Sequence, residues 1–203
     1  MSHNKVIHVV EDEAEVRKSL VFRLQVQGFN IIEYCSGEEF INSYERHDVE
    51  CVLLDMLMPN NVNGDDVYKY IVDNNLMIPC VFVTGHAPAH LVVEMIQKGA
   101  VDYLVKPVDD LKLCKSIYRG FEICVTSREA QSERDRYHQK VDTLTPIEKE
   151  AYKLMKQNLS NGQMSDIMLK GKKSIEKYRS NVISKLGFET AFDLCLFCKE
   201  KNL

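Results

Sequence analysis

The stretch Cys51-Val52-Leu53-Leu54-Asp55 decides the fold, because it joins a short apolar run directly to a carboxylate. A run of this length and composition is typical of a β-strand. Similar runs recur at regular spacing on both sides of it, at Val6–Val10, Phe29–Tyr34, Val81–Thr84 and Tyr103–Val105.

Segments with helical periodicity alternate with these strands. They lie at Ala14–Gln27, Gly37–Glu45, Asp65–Asn74, His90–Lys98 and from Asp109 onward. Strands that alternate with helices of about 10 to 15 residues predict successive βα units and a parallel sheet. We therefore expect residues 1–122 to form an α/β domain with a five-stranded, doubly wound parallel sheet.

The remainder of the chain has only helical patterns. The periodicity that begins at Asp109 continues into Ser127–Arg136, which is polar on all faces and predicts a solvated helical linker over residues 123–141. Thr145, Pro146 and Glu148 then predict the N-cap, first residue and first turn of a new helix. Three or four short helices are expected to form a small all-α domain over residues 142–203.

Charge divides the chain in the same way. The 203 residues have a net charge of −4, but residues 1–124 carry 19 acidic and 11 basic side chains, whereas residues 142–203 carry 8 acidic and 11 basic ones. The segment Lys170–Lys185 contains six basic side chains and a single acidic one, Glu176. An acidic and a basic part indicate two domains with different partners.

Composition excludes several classes of protein. A hydrophobic content of 45% supports a packed core, and no apolar run approaches the roughly 18 residues of a membrane span. Residues 1–5 do not resemble a signal peptide, so we expect a cytoplasmic protein without a membrane partner. The seven cysteines are an odd number and lie mostly in apolar segments, which argues against a disulfide framework.

Five polar side chains follow predicted strands. Because the carboxyl ends of parallel strands meet at one edge of a sheet, we expect these side chains to converge there. They are Glu11, Asp12, Asp55, Thr84 and Lys106. Each alone has an ordinary explanation, such as a helix cap or a turn, but their joint placement favours a functional site.

The chemistry of such a set can be stated. Clustered carboxylates repel one another, and a hard divalent ion such as Mg²⁺ would relieve that repulsion. One carboxylate could then attack a phosphoryl group, while a hydroxyl and an ammonium hold its oxygens. No Walker A loop and no GxGxxG motif is present, so we do not expect a nucleotide as phosphodonor.

The segments that carry these residues resemble the receiver domain of bacterial two-component response regulators, in particular its FixJ branch. The matching segments are Val9–Glu13, Leu53–Pro59, Val83–Ala87 and Gly99–Pro107. The resemblance implies a flavodoxin-like receiver with Mg²⁺ as cofactor, phosphorylated on Asp55 by a sensor histidine kinase. Two departures are that Glu11 stands where Asp is commoner and that the loop over residues 59–64 is one residue longer.

The resemblance also implies a role for each receiver residue. Mg²⁺ would be held by Glu11, Asp12, Asp55 and the carbonyl of Leu57. Lys106 would contact the phosphoryl group. Thr84 and Tyr103 would form a switch pair, in which the hydroxyl moves toward the phosphoryl oxygen while the ring rotates inward.

Leu144–Glu150 and Asn161–Leu186 resemble a LuxR-type helix-turn-helix. The resemblance implies a scaffold helix over Asn161–Leu169 and a recognition helix over Ser174–Leu186. Ser174 would be its N-cap, and Ile175, Val182, Ile183 and Leu186 its buried face. Side chains expected to contact double-stranded DNA are Lys172, Lys173, Ser174, Lys177, Arg179, Ser180, Asn181 and Lys185.

Together these patterns predict a DNA-binding response regulator. Phosphorylation of Asp55 would switch the C-terminal domain to regulate transcription, either through a homodimer or through release of the DNA-binding domain. We expect no conventional enzyme, although the receiver site would catalyse its own phosphotransfer and dephosphorylation.

Two alternatives from other classes remain. A phosphatase with an aspartate nucleophile, as in haloacid dehalogenase-like enzymes, would need a second Asp where Leu57 stands. The C-terminal domain could also be a protein-binding adaptor. Cys195 and Cys198 form a CxxC pair without two further ligands nearby, so core packing is favoured over zinc. By their spacing, no metal is assigned to His8, His47, His86, His90 and His138.

Overall fold

A computed structural model describes residues 5–58, 62–85 and 88–201. The chain forms two compact units, Met1–Glu129 and Ala130–Leu203. Of the helices within the described ranges, none combines the length and the apolar character that a membrane span requires.

The N-terminal unit contains a parallel sheet with strand order β2-β1-β3-β4-β5. The strands are β1 (Lys5–Val10), β2 (Asn30–Tyr34), β3 (Val49–Leu54), β4 (Cys80–Thr84) and β5 (Asp102–Val105). The helices between them are α1 (Ala14–Val26), α2 (Gly37–Ser43), α3 (Gly64–Asp73) and α4 (Ala89–Gln97). The order confirms the predicted five-stranded, doubly wound sheet.

Strand β3 is buried along its whole length at the centre of the sheet. Successive side chains point to opposite faces, so Leu54 packs in the apolar cluster of one face and Leu53 in that of the other. In the register with β1, Val10 is paired with Leu54. Residues that directly follow β1 and β3 therefore lie side by side at the same edge.

Polar side chains cap the N-termini of α2 and α3, which pack in the same apolar cluster. Ser36 accepts a hydrogen bond from the Glu39 amide, 3.1 Å away, at the start of α2. Asn63 and Asp66 form a reciprocal capping box at the start of α3, with distances of 3.0 and 3.1 Å. Such caps satisfy amide groups that have no partner within the helix.

Helix α5 (Asp110–Asp142) is 33 residues long and contains the predicted linker. Cys124 is buried in the N-terminal unit, whereas Tyr137 packs in the core of the C-terminal unit. Arg128 lies in the linker that was predicted to be solvated, but its side chain is bound to the protein. Its guanidinium donates to the carbonyls of His47 and Asp48 and to the carboxylate of Glu50. Sequence periodicity could not indicate this contact, since it joins positions about 80 residues apart.

The C-terminal unit packs the end of α5 with α6 (Pro146–Lys156), α7 (Asn161–Met168), α8 (Lys172–Leu186) and α9 (Ala191–Glu200). The predicted start of α6 is confirmed. The Thr145 hydroxyl accepts from the Glu148 amide at 3.4 Å, and the Glu148 carboxylate accepts from the Thr145 amide at 2.9 Å. Cys195 and Cys198 are buried free thiols, and Cys198 belongs to the apolar cluster of this unit.

The prediction that Ser174 is the N-cap of the recognition helix is wrong. Helix α8 begins at Lys172 with Gly171 as its N-cap, and Ser174 is its third residue. The Gly171 carbonyl accepts the first hydrogen bonds of the helix, which come from the amides of Ser174 at 2.9 Å and Ile175 at 3.2 Å. The predicted buried face of α8 is confirmed at Ile175, Val182 and Leu186, whereas Ile183 is only partly buried and packs against the same apolar cluster.

Candidate functional site

Three carboxylates meet at the edge of the sheet where β1 and β3 end. Glu11 and Asp55 are buried, at 2% and 6% exposure, while Asp12 is partly exposed. One oxygen from each lies within 4.8 Å of the other two. The Asp55 amide donates to the Val10 carbonyl at 3.0 Å, which continues the strand pairing into the site.

Lys106, directly after β5, joins two of these carboxylates. Its Nζ lies 2.6 Å from Glu11 Oε2 and 2.7 Å from Asp55 Oδ2. Burial alone lowers the pKa of Lys106, but hydrogen bonds to Asp55 and Glu11 outweigh it, so the pKa is raised. Burial also raises the pKa of Glu11, against the opposing bond from Lys106. The ammonium therefore stays charged at neutral pH and holds the acids together.

The loop after β3 is held close to Asp55. The Leu57 amide donates to Asp55 Oδ1 at 3.1 Å, and the Gly64 amide donates to the Met56 carbonyl at 3.2 Å. A side chain at Gly64 would place its Cβ 2.3 Å from the Asp55 carbonyl oxygen. Only glycine fits there, which makes Gly64 a site residue that the sequence analysis missed.

Thr84 and Tyr103 lie on β4 and β5, on the same side of the site as Lys106. Thr84 is fully buried at the end of β4. The Tyr103 ring is buried against Phe82, with centroids 5.6 Å apart, and its hydroxyl has no hydrogen-bond partner among the described residues. Burial, and then the charge of Asp55, raise the pKa of Tyr103. The ring already occupies an inward position.

Arg17 is a second residue that the sequence analysis missed. Its Nη1 donates to the carbonyls of Glu11 at 2.7 Å and Asp12 at 3.3 Å, and its Nε donates to Glu33 at 3.3 Å. Arg17 thus fixes the loop that presents two of the three carboxylates. Its two acceptors in this loop are backbone oxygens, which no residue pattern identifies.

The donor set suits a hard cation. Carboxylate oxygens are the ligands that Mg²⁺ prefers, and the cluster offers three of them beside one ammonium. The contact of Leu57 with Asp55 is made by its amide, and the predicted role of its carbonyl as a Mg²⁺ ligand stays a prediction. Among the segments that carried the resemblance, Pro59, His86 and Ala87 lie outside the described residues, as does part of the predicted longer loop.

The residues predicted to contact DNA fall into two groups. Lys172, Lys173, Lys177 and Ser180 are exposed on α8, and Ser174 is half-buried. The side chains of the other three are bound within the unit. Arg179 donates to the Leu159 carbonyl at 2.9 Å, Asn181 to Glu148 Oε1 at 3.1 Å and Lys185 to Glu148 Oε2 at 2.6 Å.

Glu148 therefore ties α6 to α8. It is only 4% exposed, and it accepts hydrogen bonds from Lys185, Asn181 and the Thr145 amide. The bond from Lys185, followed by that from the Thr145 amide, lowers the pKa of Glu148 to about 2. A carboxyl with a lowered pKa stabilises the folded state above its unfolded pKa, and this contribution is lost as the pH falls through the folded pKa.

We expect Glu148→Gln to destabilise the C-terminal unit by about 2 kcal/mol at pH 7, a value below the full equivalent of the pKa shift because Lys185 is solvent-exposed. Gln retains the capping box, so the change isolates the charge. The difference from wild type should shrink as the pH falls from about 4.5 to about 2. Hydrogen exchange of α8 amides in the full chain measures it. Glu150→Gln, at an exposed position of α6, is the control, and a difference that does not change with pH contradicts the prediction.

Comparisons with known proteins agree with this geometry. The family model "Response regulator receiver domain" matches residues 7–118. Nodulation protein W of Bradyrhizobium diazoefficiens is 28% identical over 193 residues, which are 95% of this chain and 85% of that protein. Transcriptional regulatory protein FixJ of Rhizobium meliloti is 27% identical over 180 residues, covering 89% and 88% of the two chains.

Solved structures include similar chains. Full-length FixJ from B. japonicum is 25% identical with a TM-score of 0.58, covering 99% of this chain and 98% of that one. Response regulator StyR, at 24% identity, has a TM-score of 0.77 over 97% and 99% of the two chains and shows the same fold. Because the family model covers more than half of the chain and its match includes the three carboxylates, Lys106 and all of the sheet except the first two residues of β1, this protein belongs to the response regulator receiver family.

Proposed function

We propose that this protein is a DNA-binding response regulator of a two-component system. A sensor histidine kinase would phosphorylate Asp55, and the change would alter DNA binding by the C-terminal unit and so regulate transcription. The observation that carries the proposal is the bridge that Lys106 makes between Glu11 and Asp55 at the edge of the sheet. Kinase domains, small phosphodonors and DNA are all present in the cytoplasm, where we place the protein.

The positions of these groups support the following phosphotransfer. A carboxylate oxygen of Asp55 attacks phosphorus, a new O–P bond forms, and the bond to the donor's leaving group breaks with its electron pair. The Lys106 ammonium, now bonded to Asp55 Oδ2, is placed to hold a phosphoryl oxygen. Glu11, Asp12, Asp55 and the Leu57 carbonyl would hold Mg²⁺, which when bound supplies neutralisation of the clustered negative charge.

The signal would leave the site through Thr84 and Tyr103. In the proposed switch the Thr84 hydroxyl turns toward a phosphoryl oxygen. The Tyr103 ring, which is already buried, would be held in its inward position by this change. Exposed apolar side chains lie on the adjacent elements α4, β5 and α5 and suit a homodimer contact. They are Val93, Ile96, Val105 and Leu111.

DNA binding would use the exposed face of α8. Lys172, Lys173 and Lys177 supply positive charge for phosphates, and Ser180 lies on the same exposed face. Ser174 is at the first turn of the helix, where a hydroxyl can reach the backbone of DNA. Arg179, Asn181 and Lys185 would act mainly by holding α8 in place, because their side chains bind groups within the unit.

A binding measurement on the full chain tests the whole proposal. Duplexes are first selected from random DNA with protein treated with acetyl phosphate and Mg²⁺. We expect treated protein to bind a selected duplex about tenfold more tightly than untreated protein, since coupling between two sites typically has this magnitude. Fluorescence anisotropy at fixed salt measures both affinities, and equal affinities would contradict the proposal.

Two variants make this measurement specific. Changing Lys173 and Lys177 together to Gln should weaken binding and reduce its salt dependence, because two phosphate contacts are lost. Changing Lys153 and Lys199 to Gln removes the same charge at exposed positions outside α8 and serves as the matched control. If the two double variants lost DNA affinity equally, binding would depend on the overall charge of the protein and not on α8.

A further inference from the structure

A second polar cluster is buried near the amino end of β3, away from Asp55. It consists of His8 on β1, Glu50 on β3 and His47 in the loop before β3. His8 and Glu50 are fully buried, and the side chain of His47 is 25% exposed. One ligand atom from each residue lies within 4.8 Å of the other two. Two imidazoles and one carboxylate form a known ligand set for Zn²⁺ that leaves one coordination position open.

The donor atoms converge on one side of the Glu50 carboxylate. His8 Nε2 lies 3.0 Å and His47 Nδ1 lies 3.8 Å from Glu50 Oε2. The His47 Nδ1 atom is buried and has no hydrogen-bond partner within the described ranges. Buried polar atoms are normally paired, so this nitrogen indicates a missing partner at that point. A cation between these atoms would satisfy it.

Groups around the cluster hold the ligands as metal sites require. Tyr34 Oη lies 2.9 Å from His8 Nδ1, so the hydroxyl can accept the Nδ1 proton and leave Nε2 for a metal. Glu50 Oε1 accepts from Tyr44 at 2.9 Å and from Arg128. Oε2 faces the histidine rings and also accepts from the His47 backbone amide at 3.3 Å. The two carboxylate oxygens thus have different neighbours.

The cluster also has a route to solvent. A surface cleft of about 630 Å³ is lined by Arg46, His47, Asp48 and Arg128, among others. His47 lies at this cleft and is the one partly exposed ligand. An ion could enter past His47, and water from the cleft could fill the open coordination position.

We propose that His8, His47 and Glu50 form a binding site for a divalent transition-metal ion of the Zn²⁺ class. Imidazole nitrogens favour such ions over Mg²⁺, which separates this site from the carboxylate cluster at Asp55. The inference does not depend on the proposed function. Sequence spacing could not reveal the site, because His8 and His47 lie 39 positions apart and meet only through the pairing of β1 with β3.

Metal titration of the full-length protein, after removal of metal with a chelator, tests the proposal. We expect one Zn²⁺ to bind per chain, with competition by Co²⁺, whose visible spectrum should show nitrogen and oxygen ligands without a thiolate band. His47→Gln should weaken Zn²⁺ binding at least about tenfold. His138→Gln changes an exposed histidine outside the cluster and should bind Zn²⁺ as wild type does.

A second measurement needs no variant. In NMR spectra of the wild-type protein, Zn²⁺ should shift the ring signals of His8 and His47 and leave those of His90 and His138 in place. Unchanged His8 and His47 signals, Zn²⁺ affinity unaffected by His47→Gln, or a thiolate band with Co²⁺ would each overturn the proposal. The cluster would then be only the internal ion pair between Glu50 and Arg128.

Discussion

Asp55→Asn is expected to abolish the incorporation of phosphate from radiolabelled acetyl phosphate in the presence of Mg²⁺. The substitution keeps the shape of the side chain and can retain the bond from the Leu57 amide. It removes the nucleophile, because an amide oxygen does not form a stable bond to phosphorus under these conditions. Label that stays with the protein after gel filtration measures the effect.

Asp73→Asn is the matched control for this measurement. Asp73 is an exposed residue at the end of α3, so its loss should leave labelling unchanged. Equal labelling of Asp55→Asn and wild type would place the phosphoacceptor elsewhere and remove the basis of the proposed function. Substantial loss in the control would show that labelling responds to surface carboxylates in general.

Lys106→Ala is expected to slow phosphate incorporation by about two orders of magnitude, because a preorganised cationic donor is lost from the reacting group. It should also destabilise the protein by about 2 to 3 kcal/mol in the absence of divalent ions, since Glu11 and Asp55 would remain buried without their shared cation. Rapid-quench labelling measures the rate, and urea denaturation with EDTA measures stability.

Mg²⁺ provides an internal check on this variant. It should stabilise Lys106→Ala more than wild type, because the ion meets no competing ammonium at the carboxylates. Lys98→Ala is the control, since Lys98 forms exposed ion pairs with Asp65 at 3.4 Å and Glu94 at 2.9 Å. The control should leave both stability and labelling nearly unchanged. An equal response of the two variants to Mg²⁺ would contradict the assigned role of Lys106.

Much of the fold and of the first site could be predicted because the relevant signals are local. Strand β3 follows from a short apolar run, and the place of Asp55 follows from the end of that run. Parallel pairing then brings the ends of β1 and β5 to the same edge, so Glu11 and Lys106 could be named without coordinates. The start of α6 was equally local, since Thr145 and Glu148 are three residues apart.

The contacts that could not be predicted join distant positions or involve the backbone. Arg17 binds carbonyl oxygens, and Gly64 is required by the close approach of the Asp55 carbonyl. Arg128 reaches Glu50 from α5, across 78 positions in the sequence. The error at Ser174 has another cause. Serine is a favourable N-cap residue, but the helix begins two residues earlier, at Lys172, and the Gly171 carbonyl accepts its first hydrogen bonds.

The internal bonds of α8 have a consequence for how DNA preference can change. Because Arg179, Asn181 and Lys185 hold the C-terminal unit together, a substitution at any of them disturbs folding before it alters which bases are read. Under the proposed function, we therefore expect changes in operator preference to arise at the exposed positions of the helix, which are Lys172, Lys173, Lys177 and Ser180. A library aimed at new operators should randomise these positions first.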